Sequence, residues 1–279
     1  MSIFSLVHED TVKAALKEDL GHGRDITSQL LIPYGTQIKV NMSARENGIL
    51  AGIELAEIAY NLTCDKIKLT RHINDGEAIK AGDNILTIEG PAQNILTAER
   101  VGLNYVSHLS AIATKTAEYV KAVEGTNAKI VCTRKTLPGL RTLQKHAVKM
   151  GGGANHRFGL DDAILIKDNH IAAAGGITPV LDRAQEAGHM VKIEIEVDTL
   201  EQLDEVIAHG GADIVLLDNM PPSDLKEAVA RIQGKLISEA SGGVNLDTVR
   251  GIAESGVDLI SIGALTHTVK VLDIGLDFE

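Results

Sequence analysis

The sequence contains no tryptophan, and aromatic residues make up only 3% of it. It also has no excess of basic charge, because 27 lysines and arginines oppose 38 aspartates and glutamates, a net charge of −11. Proteins that bind nucleic acid need a basic surface and, for single strands, aromatic rings on which the bases stack. We therefore expect no nucleic-acid partner.

Two cysteines, Cys64 and Cys132, are too few for a disulfide framework and favour a reducing compartment. No run reaches the ~18 consecutive apolar residues that a membrane helix needs. The first ten residues carry a glutamate and an aspartate and lack the apolar core of a secretory signal. With 279 residues, 44% of them hydrophobic, the chain is expected to be a soluble, cytoplasmic, globular protein without a membrane partner.

The first hundred residues predict a mixed α and β domain. Residues 8–20 have the pattern of an amphipathic helix, and residues 37–45 and 66–73 alternate apolar with polar, as half-buried antiparallel strands do. From Thr97 to about Val123 the spacing becomes helical, with Thr97 as the expected N-cap. This long helix is the predicted junction between two domains.

Short apolar runs alternate with helical stretches after the junction, which is typical of βα units in a parallel sheet. The six runs are residues 129–133, 163–166, 191–197, 213–218, 235–240 and 258–263. We predict an α/β protein: an incomplete α/β (TIM-like) barrel over residues 106–267, preceded by an α+β domain over residues 1–105. The C-terminal tail, about 268–279, is a segment that can pack on the first domain.

The ends of the predicted barrel strands carry polar side chains, and such a barrel collects them on one face. Between Val131 and His170, seven basic residues oppose three acidic ones, which favours a small anionic ligand. Arginine forks match carboxylate or phosphate, and carboxylates bind ribose hydroxyls or a hard divalent cation. The cations are Arg134, Lys135, His156, Arg157 and Lys167, and the carboxylates are Glu196 and Asp218. Solvated surface pairs are the alternative for any one of them.

Other polar groups complete this face. Glu194 precedes Glu196 by two residues, so its side chain is expected on the same face, deeper in the barrel, with Lys192 or a basic loop side chain as its partner. Residues 239–243 and 261–265 contain glycines after the last two runs, where barrels often bind phosphate through backbone N–H groups, although glycines also serve as turns. His156 and His170 are the histidines expected to be functional.

Several long motifs occur in the order found in one enzyme family. They are TRKTLPGLR (133–141), GGGANHRFGLDDAILIKDNHI (151–171), IEIEV (193–197), LLDNM (216–220), EASGG (239–243) and ISIGALTH (260–267). From residue 18 to the C-terminus the chain resembles the quinolinate phosphoribosyltransferases. The resemblance implies an N-terminal α+β sandwich domain, an incomplete barrel, a homodimer and a magnesium-dependent reaction. Quinolinate and phosphoribosyl pyrophosphate would give nicotinate mononucleotide, pyrophosphate and carbon dioxide, in NAD biosynthesis.

The resemblance also implies roles for individual residues. The residues implied for quinolinate are Arg100, supplied by the partner subunit, with Arg134, Lys135, His156, Arg157 and Lys167. Those implied for phosphoribosyl pyrophosphate are Lys135, Glu196, Asp218, Ser241, Gly242, Gly243 and Gly263. Glu196 and Asp218 would hold Mg²⁺ directly or through water, and the catalytic set is Lys135, Lys167, Glu196 and Asp218. Two positions depart from the family pattern: Arg24 stands where glycine is expected and His146 where tyrosine is expected.

Four alternatives remain open at this point. A nicotinate-specific phosphoribosyltransferase would not need a clamp for a second carboxylate, and a relative encoded with molybdate transport shares the fold and many motifs. Lys167 at the end of an apolar run is also compatible with a Schiff-base lysine of an aldolase. Residues 75–90 resemble half of a biotinyl or lipoyl carrier domain, but the lysine that carries the cofactor is missing from its turn.

Overall fold

The computed structural model describes residues 3–278, with side chains from Val7 onward, and divides this part of the chain into two compact units. The first contains residues 3–115, 149–151 and 269–278, and the second contains residues 116–148 and 152–268. The division after residue 115 lies further along the chain than the boundary expected after residue 105. None of the described helices is both long and apolar enough to span a membrane.

The helices and strands follow one another in a mixed order in the first half and alternate in the second. The helices are α1 Ile3–Leu20, α2 Ile26–Leu31, α3 Ile53–Thr63, α4 Ala92–Ala122, α5 Arg141–Met150, α6 Asp168–Ala174, α7 Ile177–Ala184, α8 Leu200–His209, α9 Pro222–Ile232, α10 Val249–Glu254 and α11 Ala264–His267. The strands are β1 Gln37–Ala44, β2 Gly48–Ile49, β3 Lys68–Arg71, β4 Ala78–Ile79, β5 Asn84–Pro91, β6 Lys129–Val131, β7 Ile164–Ile166, β8 Ile193–Val197, β9 Ile214–Asp218, β10 Ile237–Ser241, β11 Leu259–Ser261 and β12 Ile274–Phe278.

The first unit is built on an antiparallel sheet with the strand order β12-β1-β5-β3. Val40, Met42 and Ala44 of β1 are buried and alternate with more exposed residues, as predicted from the sequence. The segment that resembles a carrier domain supplies β4, which pairs with β2, and β5, which lies inside this sheet. It is therefore part of the sheets of the first unit rather than a separate carrier fold.

The prediction that Thr97 caps the long helix is wrong. Helix α4 begins at Ala92, and the Thr97 hydroxyl donates a hydrogen bond to the Gln93 carbonyl within the helix. Ala92, Ile95 and Ala98 are all buried, so the apolar face starts before Thr97 and draws this segment into the helix.

The second unit is an incomplete α/β barrel. Its six parallel strands have the order β6-β11-β10-β9-β8-β7. Each overlaps one predicted apolar run, and only β10 extends beyond its run, by one residue to Ser241. Among the residues that the structure describes, β6 and β7 stand at the two ends of this order and do not pair with each other, so the barrel is not closed. The carboxyl ends of all six strands meet at one face, where barrel enzymes place their active sites.

Residues that favour the start of a helix follow the barrel strands closely. The Thr199 hydroxyl accepts from the Gln202 backbone N–H, which forms a capping box at the start of α8, two residues after β8 ends. Pro222 occupies the first turn of α9, a position where its missing N–H costs nothing. The short connections leave the strand ends open to solvent, so the side chains there are available to a ligand.

Candidate active site

A pocket of about 750 Å³ lies at the carboxyl ends of the barrel strands, within the second unit. Its volume is typical of small-molecule sites. It brings together most of the residues implied for the site, contributed by strands far apart in sequence. Those that line it are Arg134, Lys135, His156, Arg157, Lys167, Glu196, Asp218, Ser241, Gly242, Gly243 and Gly263.

One half of the pocket is cationic and has unused donors. Within the described chain, the buried Nε atoms of Arg134 and Arg157 have no hydrogen-bond partner. Burial lowers the pKa of Arg157, and the neighbouring charge of Arg134 lowers it further. Two guanidinium groups that repel each other in this way would both be stabilised by a bound anion. Their planar arrangement of N–H donors matches the two oxygens of a carboxylate.

The other half of the pocket is acidic. Burial raises the pKa of Asp218, and the charges of Glu196 and Asp198 raise it further. Lys167 Nζ lies 2.6 Å from Glu196 Oε2 and balances part of this charge. Because Lys167 is half-exposed and ion-paired, it lacks the desolvated surroundings of a Schiff-base lysine, so the aldolase interpretation is not supported.

Beneath the cationic half lies a buried group of one histidine and two glutamates. His156 Nε2 is 2.9 Å from Glu194 Oε2 and 3.6 Å from Glu239 Oε1. These are ligand types that also occur in metal sites, and the three ligand atoms lie within 4.8 Å of one another. The basic partner of Glu194 is thus the loop residue His156, whereas Lys192 pairs with Asp213 instead.

The glycine loop after β10 is tightly built. Gly242 has φ of +90°, and a Cβ there would lie 2.1 Å from Asn219 Oδ1, so only glycine fits. Gly243 is also left-handed, with φ of +60°, and has open space around it. The side chain of Lys135 lies over Gly263, where a Cβ would be 2.9 Å from Lys135 Cδ. Two glycines thus admit a ligand close to the backbone beside a lysine.

Two family models match almost the whole chain. Residues 25–110 match the model described as "Quinolinate phosphoribosyl transferase, N-terminal domain", and residues 112–277 match "Quinolinate phosphoribosyl transferase, C-terminal domain". The chain belongs to the quinolinate phosphoribosyltransferase family.

Curated relatives and solved structures agree with this family. The chain is 45% identical over 273 residues to the nicotinate-nucleotide pyrophosphorylase (carboxylating) of Mycobacterium leprae, with 96% of each chain covered. It is 42% identical to a quinolinate phosphoribosyltransferase (decarboxylating) of Nicotiana tabacum, covering 97% of this chain and 82% of the relative. The Francisella tularensis nicotinate-nucleotide pyrophosphorylase structure superposes with a TM-score of 0.94 at 38% identity, covering 99% and 97% of the two chains.

Some residues that the sequence analysis singles out are not among those that line the pocket. Arg100 belongs to α4 in the first unit, with an exposed side chain paired to Glu99, and is not among the pocket-lining residues of the described chain. His170 is exposed, and its Nδ1 accepts the Lys167 backbone N–H at the start of α6. The two departures from the family pattern, Arg24 and His146, also lie outside the described lining.

Three further lining residues have no role predicted from the sequence. Asn219, Glu239 and His267 all border the pocket. Each lies within a motif that carries the family resemblance, LLDNM, EASGG or ISIGALTH. Asn219 could have been found because it directly follows β9, and Glu239 because a glutamate within an apolar run is rarely buried without a partner.

Proposed function

We propose that this pocket binds quinolinate and phosphoribosyl pyrophosphate side by side, and that its charged residues carry the reaction of the family. The enzyme is a pentosyltransferase that transfers a phosphoribosyl group to quinolinate with decarboxylation, in de novo NAD biosynthesis. The products are nicotinate mononucleotide, pyrophosphate and carbon dioxide. The observation that supports this placement most is the pair of unpartnered arginine Nε atoms in a pocket that also has an acidic half.

The cationic half is the proposed quinolinate site. Quinolinate carries two neighbouring carboxylates, which need two anion-binding groups, and Arg134 and Arg157 offer unused donors for them. Lys167, between the two halves, adds a third cation beside the pyridine ring. His156 borders this end, and its Nδ1 accepts the Arg157 backbone N–H, so it fixes the loop that presents Arg157.

The glycine loops are the proposed site of the 5′-phosphate. Gly242 and Gly243 have left-handed backbones that let a phosphate approach their N–H groups, with Ser241 and Gly263 beside them. Lys135 lies over Gly263, so its ammonium group is placed to contact the donor's phosphates as well as quinolinate. Glu196 and Asp218 would receive the ribose hydroxyls between the phosphate and the pyridine.

Glu196 and Asp218 are also the proposed holders of Mg²⁺, directly or through water. The residues fit a hard cation, because carboxylate oxygens are its preferred ligands and the charges of Glu196 and Asp198 already raise the pKa of Asp218. When bound, Mg²⁺ supplies positive charge that stabilises the leaving pyrophosphate. Lys167, now paired with Glu196, is then free to turn toward the pyridine substrate.

Residues of this chain orient the substrates for two successive steps, phosphoribosyl transfer and decarboxylation. Arg134 and Arg157 hold quinolinate so that its ring nitrogen forms a bond to ribose C1 while the bond from C1 to the pyrophosphate oxygen breaks. Glu196 and Asp218 stabilise the positive charge that develops on the ribose. The nitrogen then becomes a pyridinium, which withdraws electrons, and the 2-carboxylate leaves as carbon dioxide. No protein nucleophile is needed.

Arg100 is proposed to complete the quinolinate site of a second copy of the chain in a homodimer. Its side chain is exposed, and its partner, Glu99, is the adjacent residue. Support for an interface on the same unit comes from α2 and the turn after it, where Ile26, Leu30, Leu31 and Tyr34 are exposed apolar side chains. We also propose a cytoplasmic location, supported by the free thiols of Cys64 and Cys132.

A parallel assay tests the proposed function. Purified protein is given Mg²⁺, phosphoribosyl pyrophosphate and either quinolinate or nicotinate, and carbon dioxide and mononucleotide are measured. We expect product from quinolinate alone, with one carbon dioxide for each mononucleotide. Product from nicotinate at a similar rate would show that the second carboxylate is not recognised, and no product from either pyridine would contradict the proposal.

A further inference from the structure

A buried acid at the floor of the pocket takes no part in the steps above. Glu239 on β10 lines the pocket but is only 1% exposed. Within the described chain, neither of its carboxylate oxygens has a hydrogen-bond partner. An ionised carboxylate in such surroundings is costly, so burial favours its protonated form.

The neighbours of Glu239 decide which group holds the proton. The Arg157 backbone N–H donates to His156 Nδ1 at 2.8 Å, so the imidazole carries its proton on Nε2 and donates it to Glu194. Burial works to lower the pKa of His156, but the hydrogen bond to Glu194 and the charges of Glu239 and Glu194 outweigh it and raise this pKa above its usual value. Glu194 Oε2 accepts the close hydrogen bond of His156, whereas the oxygens of Glu239 have no such partner in the described chain.

Two carboxylates in one buried space cannot both be ionised without a large penalty. Burial and then the charge of Glu194 raise the pKa of Glu239 to about 7, against the smaller opposing effects of His156 and the Ser261 hydroxyl. The other charged group beside His156 is Lys145, whose Nζ contacts the His156 carbonyl. The floor of the pocket therefore holds a carboxyl group that keeps its proton to a higher pH than an ordinary glutamate does.

Decarboxylation creates a need for such an acid. When the bond between C2 and its carboxylate breaks, the electron pair stays on C2 and must accept a proton to give nicotinate mononucleotide. We propose that Glu239 is the acid that protonates C2 as carbon dioxide leaves, before the two can recombine, an inference that rests on the proposed function. The C2–H bond forms as the Glu239 O–H bond breaks, and the resulting carboxylate regains a proton from water after the product leaves.

The position of Glu239 suits this step. It lies 3.6 Å from His156, whose chain neighbour Arg157 is a proposed ligand of the quinolinate carboxylates. It therefore borders the part of the pocket where the proposed quinolinate ligands lie. A general acid of this kind typically contributes about 10²-fold to 10⁴-fold to the rate of its step.

A single-turnover experiment with Glu239→Gln separates the two chemical steps. The amide keeps the shape of the side chain but has no proton to give. With enzyme in excess over quinolinate, we expect pyrophosphate to form at nearly the wild-type rate, whereas carbon dioxide forms about 10²-fold more slowly or worse. Quinolinate mononucleotide should then accumulate and be recovered after an acid quench. Glu254→Gln, an exposed glutamate of α10, is the control and should behave as wild type.

Glu239→Asp provides a second variant, because it retains an acid at a greater distance. It should release carbon dioxide faster than Glu239→Gln and form pyrophosphate at the same rate. The inference is overturned if carbon dioxide keeps its wild-type rate in Glu239→Gln, or if pyrophosphate and carbon dioxide slow by the same factor, since Glu239 would then act only through the position of His156. Failure of the wild-type protein to form pyrophosphate from quinolinate would instead overturn the proposed function.

Discussion

Arg134 is the residue on which selective binding of a dicarboxylate depends most directly. Its buried Nε has no partner in the described chain, so Arg134→Ala removes a donor without breaking an internal hydrogen bond of that atom. Loss of one partner of a buried charged pair typically costs about 2–5 kcal/mol. We expect KM for quinolinate to rise on the order of 10²-fold in steady-state assays, with KM for phosphoribosyl pyrophosphate changed far less.

Arg183→Ala, an exposed arginine of α7, is the matched control for Arg134→Ala and should leave both KM values unchanged. The thermal midpoint of each variant shows whether folding is preserved. Ordinary quinolinate saturation in Arg134→Ala, at an unchanged thermal midpoint, would remove Arg134 from the clamp.

Substitution of Gly242 tests whether the glycine loop after β10 binds the phosphate. In Gly242→Ala the new Cβ would meet Asn219 Oδ1, which must move and displace the loop. We expect KM for phosphoribosyl pyrophosphate to rise at least tenfold, which corresponds to about 1.4 kcal/mol. Gly234→Ala has a similar left-handed φ of +73° but open space, so it should lower the thermal midpoint and leave KM unchanged. Equal KM values in the two variants would contradict a phosphate site here.

The sequence could place the polar residues at strand ends because side chains alternate along a strand and parallel strands share one active face. That reasoning found the cations and Glu196, and it expected Glu194 to be buried with a basic partner. It could not choose between His156 and Lys192 as that partner, because the choice depends on how the loop after α5 folds back over the barrel. For the same reason it missed the raised pKa of Glu239, which depends on burial and on Glu194, a neighbour 45 positions away in the chain.

At the scale of elements, two helix caps differ in their response to acid. Burial works to raise the pKa of Asp25, which caps α2, but hydrogen bonds from Ser28 and Thr97 outweigh it and hold the pKa below the usual 3.8. A depressed pKa gives stability that is present above the unfolded-state pKa, about 3.9, and is lost as pH falls through the folded-state pKa. Asp25→Ala should therefore lower stability by about 1 kcal/mol at neutral pH and progressively less below about pH 4.

Thr199→Ala at the start of α8 is the comparison for Asp25→Ala, since its capping hydroxyl does not titrate. It should cost about 1 kcal/mol at every pH at which the protein remains folded. Thermal midpoints measured between about pH 7 and pH 3 decide between them. A gap between wild type and Asp25→Ala that stays constant over this range would show that the charge of Asp25 contributes nothing.

The sequence predicts that a helix or strand exists wherever the apolar pattern is strong. It predicts the first and last residues of that helix or strand less well. Five of the six barrel strands lie within the predicted runs and β10 exceeds its run by one residue, because buried parallel strands have few polar residues to interrupt the apolar pattern. The start of α4 was not predictable from Thr97, since a good capping residue within a continuous apolar face simply becomes part of the helix. Packing of Ala92 and Ile95 decides the boundary there.

At the scale of the whole molecule, the proposed homodimer makes each active site depend on two chains. Arg100→Ala and Arg134→Ala should each have little activity alone, because both remove a quinolinate ligand. A mixed dimer has one intact site, formed by the pocket of the Arg100→Ala chain and the Arg100 of its partner. After subunit exchange at equal concentrations, half of the dimers are mixed, so about a quarter of wild-type activity should return.

Size-exclusion chromatography with light scattering, on the wild-type protein and both variants, is the control for this mixing experiment and should give a dimer in each case. If mixing restores no activity while exchange is shown to occur, Arg100 does not act across an interface. A monomer with full activity would contradict the shared site altogether.

Quinolinate is proposed to bind in the cationic half of the barrel pocket. A crystal structure of the protein with bound quinolinate would show directly whether it does. We predict both carboxylates within hydrogen-bond distance of the side chains of Arg134 and Arg157, with the ring nitrogen facing the acidic half that holds Glu196 and Asp218. Quinolinate bound against the glycine loop of Gly242, or with its ring nitrogen turned away from the acidic half, would contradict the account.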